Sequence, residues 1–197
     1  MKFLLGLTGS IGMGKSTTAA LFLARGCAIW DADKAVHQAY SVGGLAVIEV
    51  NKILPEVVTN GMVDRKKLKE IVLESPKVLA EIEAIIHPLV KQSRKSFIEK
   101  NTSNILVFDI PLLFELNTQL KFDAVACVTV ASEIQEERVL SRSGMTKKHL
   151  DVIISKQLSS AEKVARSDYV IDTTSIKSAE LCVENILRDI EERQKNA

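Results

Sequence analysis

The apolar run Phe3-Leu4-Leu5-Gly6-Leu7 leads directly into Gly9-Ser-Ile-Gly-Met-Gly-Lys-Ser-Thr17, and a helix-forming stretch follows at once. Gly9, Gly14, Lys15 and Ser16 have the spacing of a P-loop, a turn that works only where a strand meets the N-terminus of a helix. The feature therefore fixes one strand-loop-helix unit and demands further layers to bury it. Its residue types also carry a chemistry. Glycines let successive backbone N–H groups face phosphate oxygens, and the helix N-terminus adds positive potential. In such a loop Lys15 reaches the β- and γ-phosphates of a nucleoside triphosphate and the Ser16 hydroxyl ligates magnesium. A glycine-rich turn with an incidental lysine is the competing reading, and the flanking strand and helix speak against it.

Around this unit strand-like runs alternate with helical patterns, so the fold expected is α/β, a P-loop NTPase core with a five-stranded, mainly parallel sheet flanked by helices. Strands fall at about Lys2–Thr8, Cys27–Trp30, Asn104–Asp109, Ala124–Val130 and Tyr169–Asp172. The helix opened by the loop runs to about Arg25, and Gly26 ends it. From about Lys34 to Lys100 the pattern is helical, interrupted at Gly43-Gly44, Pro55, Asn60-Gly61, Pro76 and Pro88. That stretch is too long for one sheet crossover and reads as an inserted helical subdomain. A charged helical segment covers about Ser132–Ala165. Ser178–Lys195, with Val183, Ile186, Leu187 and Ile190 at helical spacing, reads as a closing amphipathic helix. The division expected is a core of residues 1–33, 104–131 and 166–197, an insertion of 34–103, and the charged segment 132–165.

Composition excludes some partners. With 46% apolar residues, 26% charged residues and a formal net charge of +1, the 197-residue chain offers no polybasic tract for nucleic acid. No run is long enough to span a bilayer. Lys2 and the short apolar run after it could pass for the start of a secretion leader, but the run is too short and becomes the first strand. Cys27, Cys127 and Cys182 are odd in number, widely spaced and set among apolar residues, so they read as reduced thiols of a cytoplasmic protein without metal-ligand pairing.

Further candidates for chemistry stand at strand ends and helix junctions. Strand alternation would put Asp31 and Asp33 on one face at the sheet's carboxyl edge, where open α/β sheets bind ligands. A carboxylate there could take the proton of an attacking hydroxyl or hold magnesium; equally, it could cap the next helix, and Asp33 is well placed for that. Asp109 ends an apolar run in the pattern of the P-loop fold's second magnesium-holding element. Pro111 forces an extended exit, so Ile110–Glu115 is expected as a loop able to line a second substrate's pocket. Arg138 and Arg142, four apart, share a helix face, suited to clamping phosphate or to pairing with Glu136 and Glu137 in solvent. Arg65 follows Asp64 at a turn-to-helix junction with Asp64 as its cap. His87 precedes Pro88 at the apparent end of a helix; an imidazole can do acid–base work, though a lone histidine on an apolar helix more often packs in a core.

Taken in order, Leu7-Thr-Gly-Ser-Ile-Gly-Met-Gly-Lys-Ser-Thr17, Asp31-Ala-Asp33 with His37, Asp64-Arg65, Ile86-His-Pro-Leu89, Asp109-Ile-Pro-Leu-Leu-Phe-Glu115, Arg138, Arg142, Gln157 and Ser167-Asp168-Tyr-Val-Ile171 resemble the dephospho-coenzyme A kinases over essentially the whole chain. The resemblance implies a kinase that uses ATP and Mg2+ to phosphorylate the ribose 3'-hydroxyl of dephospho-coenzyme A, the last step of coenzyme A synthesis. It implies a nucleoside-monophosphate-kinase-like architecture in which 34–103 binds the acceptor and 132–165 is a lid. By position it implies Gly9, Gly12, Met13, Gly14, Lys15, Ser16 and Thr17 as the ATP cradle, Asp33 as general base, and Arg138 and Arg142 as lid contacts to phosphate. Ser16 and Asp109 would hold magnesium, while Arg65, His87, Pro111, Leu112, Leu113 and Glu115 would face the acceptor. The partner implied is this small molecule, with no nucleic acid or membrane, in a monomer or small homo-oligomer. One departure stands at Asp172-Thr-Thr-Ser175, where the family commonly carries Asn and then Gly. Thr173 keeps a hydroxyl but lacks the amide's paired donor and acceptor, which changes what this position can offer an adenine. Another small-molecule kinase on the same core is the first rival. A GTPase-like switch is the second; it wants Asn-Lys-x-Asp, and Asn51-Lys52-Ile53-Leu54 lacks the aspartate.

Overall fold

The computed structural model describes residues 2–196. In chain order, β1 (Phe3–Thr8), α1 (Lys15–Ala24) and β2 (Ala28–Asp31) precede α2 (Ala32–Tyr40), α3 (Leu45–Ile53), the hairpin strands β3 (Val58–Thr59) and β4 (Met62–Val63), α4 (Arg65–Glu74) and α5 (Pro76–Lys100). Then come β5 (Ile105–Asp109), β6 (Ala124–Thr129), α6 (Ser132–Leu140), α7 (Lys147–Ser155), α8 (Ser160–Ala165), β7 (Tyr169–Asp172) and α9 (Ile176–Lys195). The residues up to Trp30 and from Thr102 onward form one compact unit, and Asp31–Asn101 a second.

In the first unit five strands form a sheet in the order β2-β5-β1-β6-β7. β1 is parallel to β5 on one side and to β6 on the other, and β6 is parallel to β7. β5 is buried at every residue, as expected of a strand covered on both faces. Phe22 of α1 and Val183, Ile186 and Ile190 of α9 join Leu5, Leu7 and Val107 in one core. Each such side chain contributes roughly 1.5–3 kcal/mol on burial. Asp168 sets the register of β7: its carboxylate accepts from the Val125 amide at 2.7 Å, and its own amide donates to the Val125 carbonyl at 2.9 Å. Gly26, at φ 88°, ends α1 as the sequence predicts.

The second unit has its own apolar core, in which Ala46, Val50, Val57, Leu68, Ile82 and Ile86 are buried together. Asp64 caps α4 by accepting from the amides of Lys66 and Lys67, and Ser75 caps α5 through Val78. The helical pattern breaks at Asn60-Gly61 as expected. The break at Asn60-Gly61 is a short β3–β4 hairpin whose turn puts both residues at positive φ, 53° and 75°. The break expected at Pro88 fails: α5 runs unbroken through it. Proline costs the helix one hydrogen bond there, and the helix persists because Ile82 and Ile86 before it, and Leu89 and Val90 after it, pack into the same core.

Candidate functional site

The phosphate loop sits between β1 and α1. Gly14 is the N-cap of α1 in the left-handed conformation, φ 84°, and no side chain caps the helix. A β-carbon on Gly14 would lie 3.0 Å from the Cβ and Oγ1 of Thr173, and one on Gly9 would lie 2.3 Å from a methyl of Val128. Only glycine meets both demands. The first-turn amides of α1 are thus left for an external acceptor, and the helix end attracts an anion. Met13, by contrast, is buried in the sheet's core, so only its backbone is available to a ligand.

At the end of β5 the Lys15 ammonium donates to Oδ1 of Asp109, and both side chains are largely shielded from water. Loop lysine and strand-end carboxylate therefore share one spot. The turn after β5 is fixed beside it. The Ile110 amide donates to Leu7 O at 2.9 Å, and the Thr8 hydroxyl donates to Pro111 O at 3.1 Å. Among the described residues no group of three His, Cys, Asp or Glu side chains could hold a metal alone. Magnesium needs no such cage: it commonly takes one or two protein oxygens and completes its shell with phosphate and water, which Ser16 and Asp109 fit.

Two residues tie the loop from behind. Thr173 is 6% exposed, and its hydroxyl lies 2.9 Å from Met13 O and 3.2 Å from Thr129 O, sharing its proton between them. Gln135 of α6 donates to Ile11 O at 2.7 Å. Nothing in the sequence marked Gln135, which reads as one more polar residue of a charged helix. Arg138 donates to Thr173 O at 2.7 Å and to the Thr173 hydroxyl at 3.3 Å. It does not pair with Glu136, whose partner is Lys147. Arg142 lies just beyond α6, and with Arg138, Gly12, Gly14, Thr17 and Ile176 it lines a cavity of about 290 Å³.

The segment from Pro111 to Glu115 is only partly open to solvent. Leu112 is exposed, but Leu113 is fully buried with a methyl 2.7 Å from where a β-carbon on Gly6 would stand, so its side chain serves packing. Glu115 is engaged as well: its Oε1 pairs with Lys163 Nζ at 3.0 Å and accepts from the Leu158 amide at 2.9 Å. Burial alone would raise the Glu115 carboxyl, yet the hydrogen bonds from Lys163 and the Leu158 amide, with the lysine's charge, hold it below its ordinary value. Cys27 and Cys127 are buried and free, and burial pushes both thiols up to about 11.

In the helical unit Asp31 is the cap of α2, accepting from the Lys34 amide at 2.9 Å. Strand alternation stops there, so Asp33 is an exposed residue in the first turn of α2 and neither a strand residue nor the cap. Arg65 opens α4, and its charge acts on Tyr40. Arg65, Tyr40, Lys66, Lys69, Glu83 and His87 line an open cavity of about 590 Å³ with an apolar floor. His87 is exposed at this cavity, so the expectation of a buried packing histidine does not hold. No helix among the described residues is long and apolar enough to cross a membrane.

These features have known counterparts. Residues 3–178 match the family model described as dephospho-CoA kinase. The dephospho-CoA kinase of Ruegeria pomeroyi is 50% identical over 190 residues, 96% of each chain. That of Bradyrhizobium diazoefficiens is 45% identical over 174 residues, 87% of this chain and 86% of the relative. Among solved structures, TT1252 from Thermus thermophilus is 28% identical and superposes with a TM-score of 0.86, covering 98% of this chain and 97% of that one. A strand-ended, uncapped phosphate loop and a sequence match spanning nearly its whole length agree: the chain belongs to the dephospho-CoA kinase family.

Proposed function

We propose that this kinase transfers the γ-phosphate of ATP to the ribose 3'-hydroxyl of dephospho-coenzyme A, releasing ADP and coenzyme A. The observation that carries the chemistry is the Lys15–Asp109 pair beside the uncapped start of α1. Family membership supplies the acceptor. The loop amides and the helix end receive the phosphates, and Lys15 exchanges Asp109 for the transferring group, neutralising charge as the bond to the β-phosphate oxygen breaks. Arg138 and Arg142, which line the neighbouring cavity, add charge to the same end of the nucleotide. Ser16 and Asp109 would hold magnesium, which would supply positive charge against the phosphates.

Asp33 accepts the proton of the attacking 3'-hydroxyl, for which an exposed carboxylate on a first helical turn is accessible. Arg65 and His87, at the cavity of the helical unit, give the acceptor one permanent cation and one exposed imidazole. Segment 132–165 acts as a lid and 34–103 as the acceptor-binding part. Thr173 acts on the donor side through the loop backbone instead of by reading adenine. The test is direct: purified protein, ATP, magnesium and dephospho-coenzyme A, with product identified by mass. A 3'-phosphorylated product is expected, and ADP release with other acceptors but not this one would overturn the acceptor assignment.

A further inference from the structure

Lys163 of α8 is fully buried, a rare setting for a lysine, and no role above uses it. Its ammonium has two partners at short range, Glu115 Oε1 at 3.0 Å and Pro111 O at 3.1 Å. The Pro111 carbonyl thus receives two donors, Lys163 from α8 and Thr8 from the strand that feeds the phosphate loop. α8 is in turn held by its own contacts: Ser167 donates to Lys163 O at 2.7 Å, and the Ser159–Glu162 capping box fixes the helix start. Pro111 stands two residues after Asp109, the partner of Lys15. Moving the Pro111 carbonyl therefore moves the chain that carries the Asp109 carboxylate and the loop ending at Glu115.

We infer that Lys163 is a positioning residue for phosphoryl transfer: its buried ammonium clamps the turn after β5 at both ends, holding Asp109 against the phosphate loop and the Pro111–Glu115 loop in its acceptor-facing form. The inference rests on the kinase reading above. A lysine is suited to the task because its compact charge can satisfy a carboxylate and a carbonyl together. The phosphate loop has separate anchors in Gln135 and Thr173, so nucleotide binding and acceptor geometry come apart when Lys163 is lost.

The variant is Lys163→Met, close in volume and without charge. Its kcat is expected to fall about tenfold to a hundredfold, with a rise of about tenfold in the KM for dephospho-coenzyme A, while the Kd for ADP by calorimetry stays within about threefold of the parent. Unchanged kinetics, or a parallel loss of ADP affinity and acceptor affinity, would overturn the proposal. If Lys163→Met does not fold at assay temperature, Lys163→Ala is assayed in the cold with n-propylammonium or n-propanol added. Recovery with the cation alone is expected, and equal recovery with the alcohol, or none with either, overturns it. Slow ATP hydrolysis by water is measured on the same samples. A parent protein inert toward dephospho-coenzyme A defeats the acceptor reading, whereas the hydrolysis rate of Lys163→Met still decides for Lys163: a tenfold drop supports the clamp and an unchanged rate refutes it.

Discussion

Side chains of the sheet unit reach across the sequence: Gln135 to Ile11, Thr173 to Met13, Lys163 to Pro111, and the Val125 amide to Asp168. In the helical unit the corresponding bonds are local, the Lys34 amide to Asp31, Ser41 to His37, Lys66 to Asp64 and Val78 to Ser75, and distant segments meet through apolar contact among Ala46, Val50, Val57 and Ile82. Directional bonds specify distance and angle, whereas apolar packing specifies volume and tolerates changes of shape. Phosphoryl transfer needs the first quality. A part that receives a long, flexible acceptor gains from the second.

Substitutions in each unit set that contrast against measurement. Lys15→Ala should cost about a thousandfold or more in kcat and weaken ADP binding, as loss of a charge aimed at the transferring group does. Asp33→Asn should lower kcat by about 10²–10⁴, the usual worth of a general base, and leave ADP affinity near normal. Equal ADP loss in both variants would erase the division between donor and acceptor roles. Ile82→Ala, in the helical core, should cost about 2–5 kcal/mol of that unit's stability and speed amide exchange in α5 without altering exchange in β1. Spread of the effect to β1 would mean the two units unfold as one. Gly14→Ala should cost about 1–2 kcal/mol from the left-handed backbone alone, read as a lowered Tm, with ADP affinity reduced because Thr173 is pushed off the loop.

The smallest effect concerns pH. The Glu115 carboxyl is raised by burial but lowered further by its bonds to Lys163 and Leu158, so it lies below its ordinary value of 4.5 in the folded protein. A carboxyl depressed by folding contributes stability that is complete above its unfolded pKa and is lost as pH falls through the folded one. The urea midpoint should therefore decline below about pH 4.5. Glu115→Gln should be less stable at neutral pH and flatter across that window; an identical slope would place the acid sensitivity elsewhere.

What the sequence disclosed is what short-range rules govern. The loop glycines, the Gly26 stop, the Asp64 cap and the apolar strand ending at Asp109 each depend on residues a few positions away, and each stands where the pattern puts it. The misreadings are places where distant packing decides. Pro88 looks like a helix end until Ile82, Ile86 and Leu89 are seen in one core. Asp33 is the exception, misread for a local reason: Asp31 closes β2 and caps α2 through the Lys34 amide. Lys163 and Gln135 carry no local signal, since one is a cation and the other an amide in a charged stretch, and only the fold turns them inward. Thr173 likewise gives no local sign of its task, and only its contacts to Met13 and Thr129 show what its hydroxyl does.

The central place of β1 has a consequence for how the protein is made. β1 is made before both strands that flank it, β5 and β6, with Phe3 beside Ile105 and Leu5 beside Ala124, and the loop after it waits for Thr173. Such long-range parallel pairing is slow to form. The segment from Phe3 to Thr8 stays apolar and unpaired while the stretch 31–101 is synthesised, which leaves these six residues open to intermolecular pairing until β5 follows.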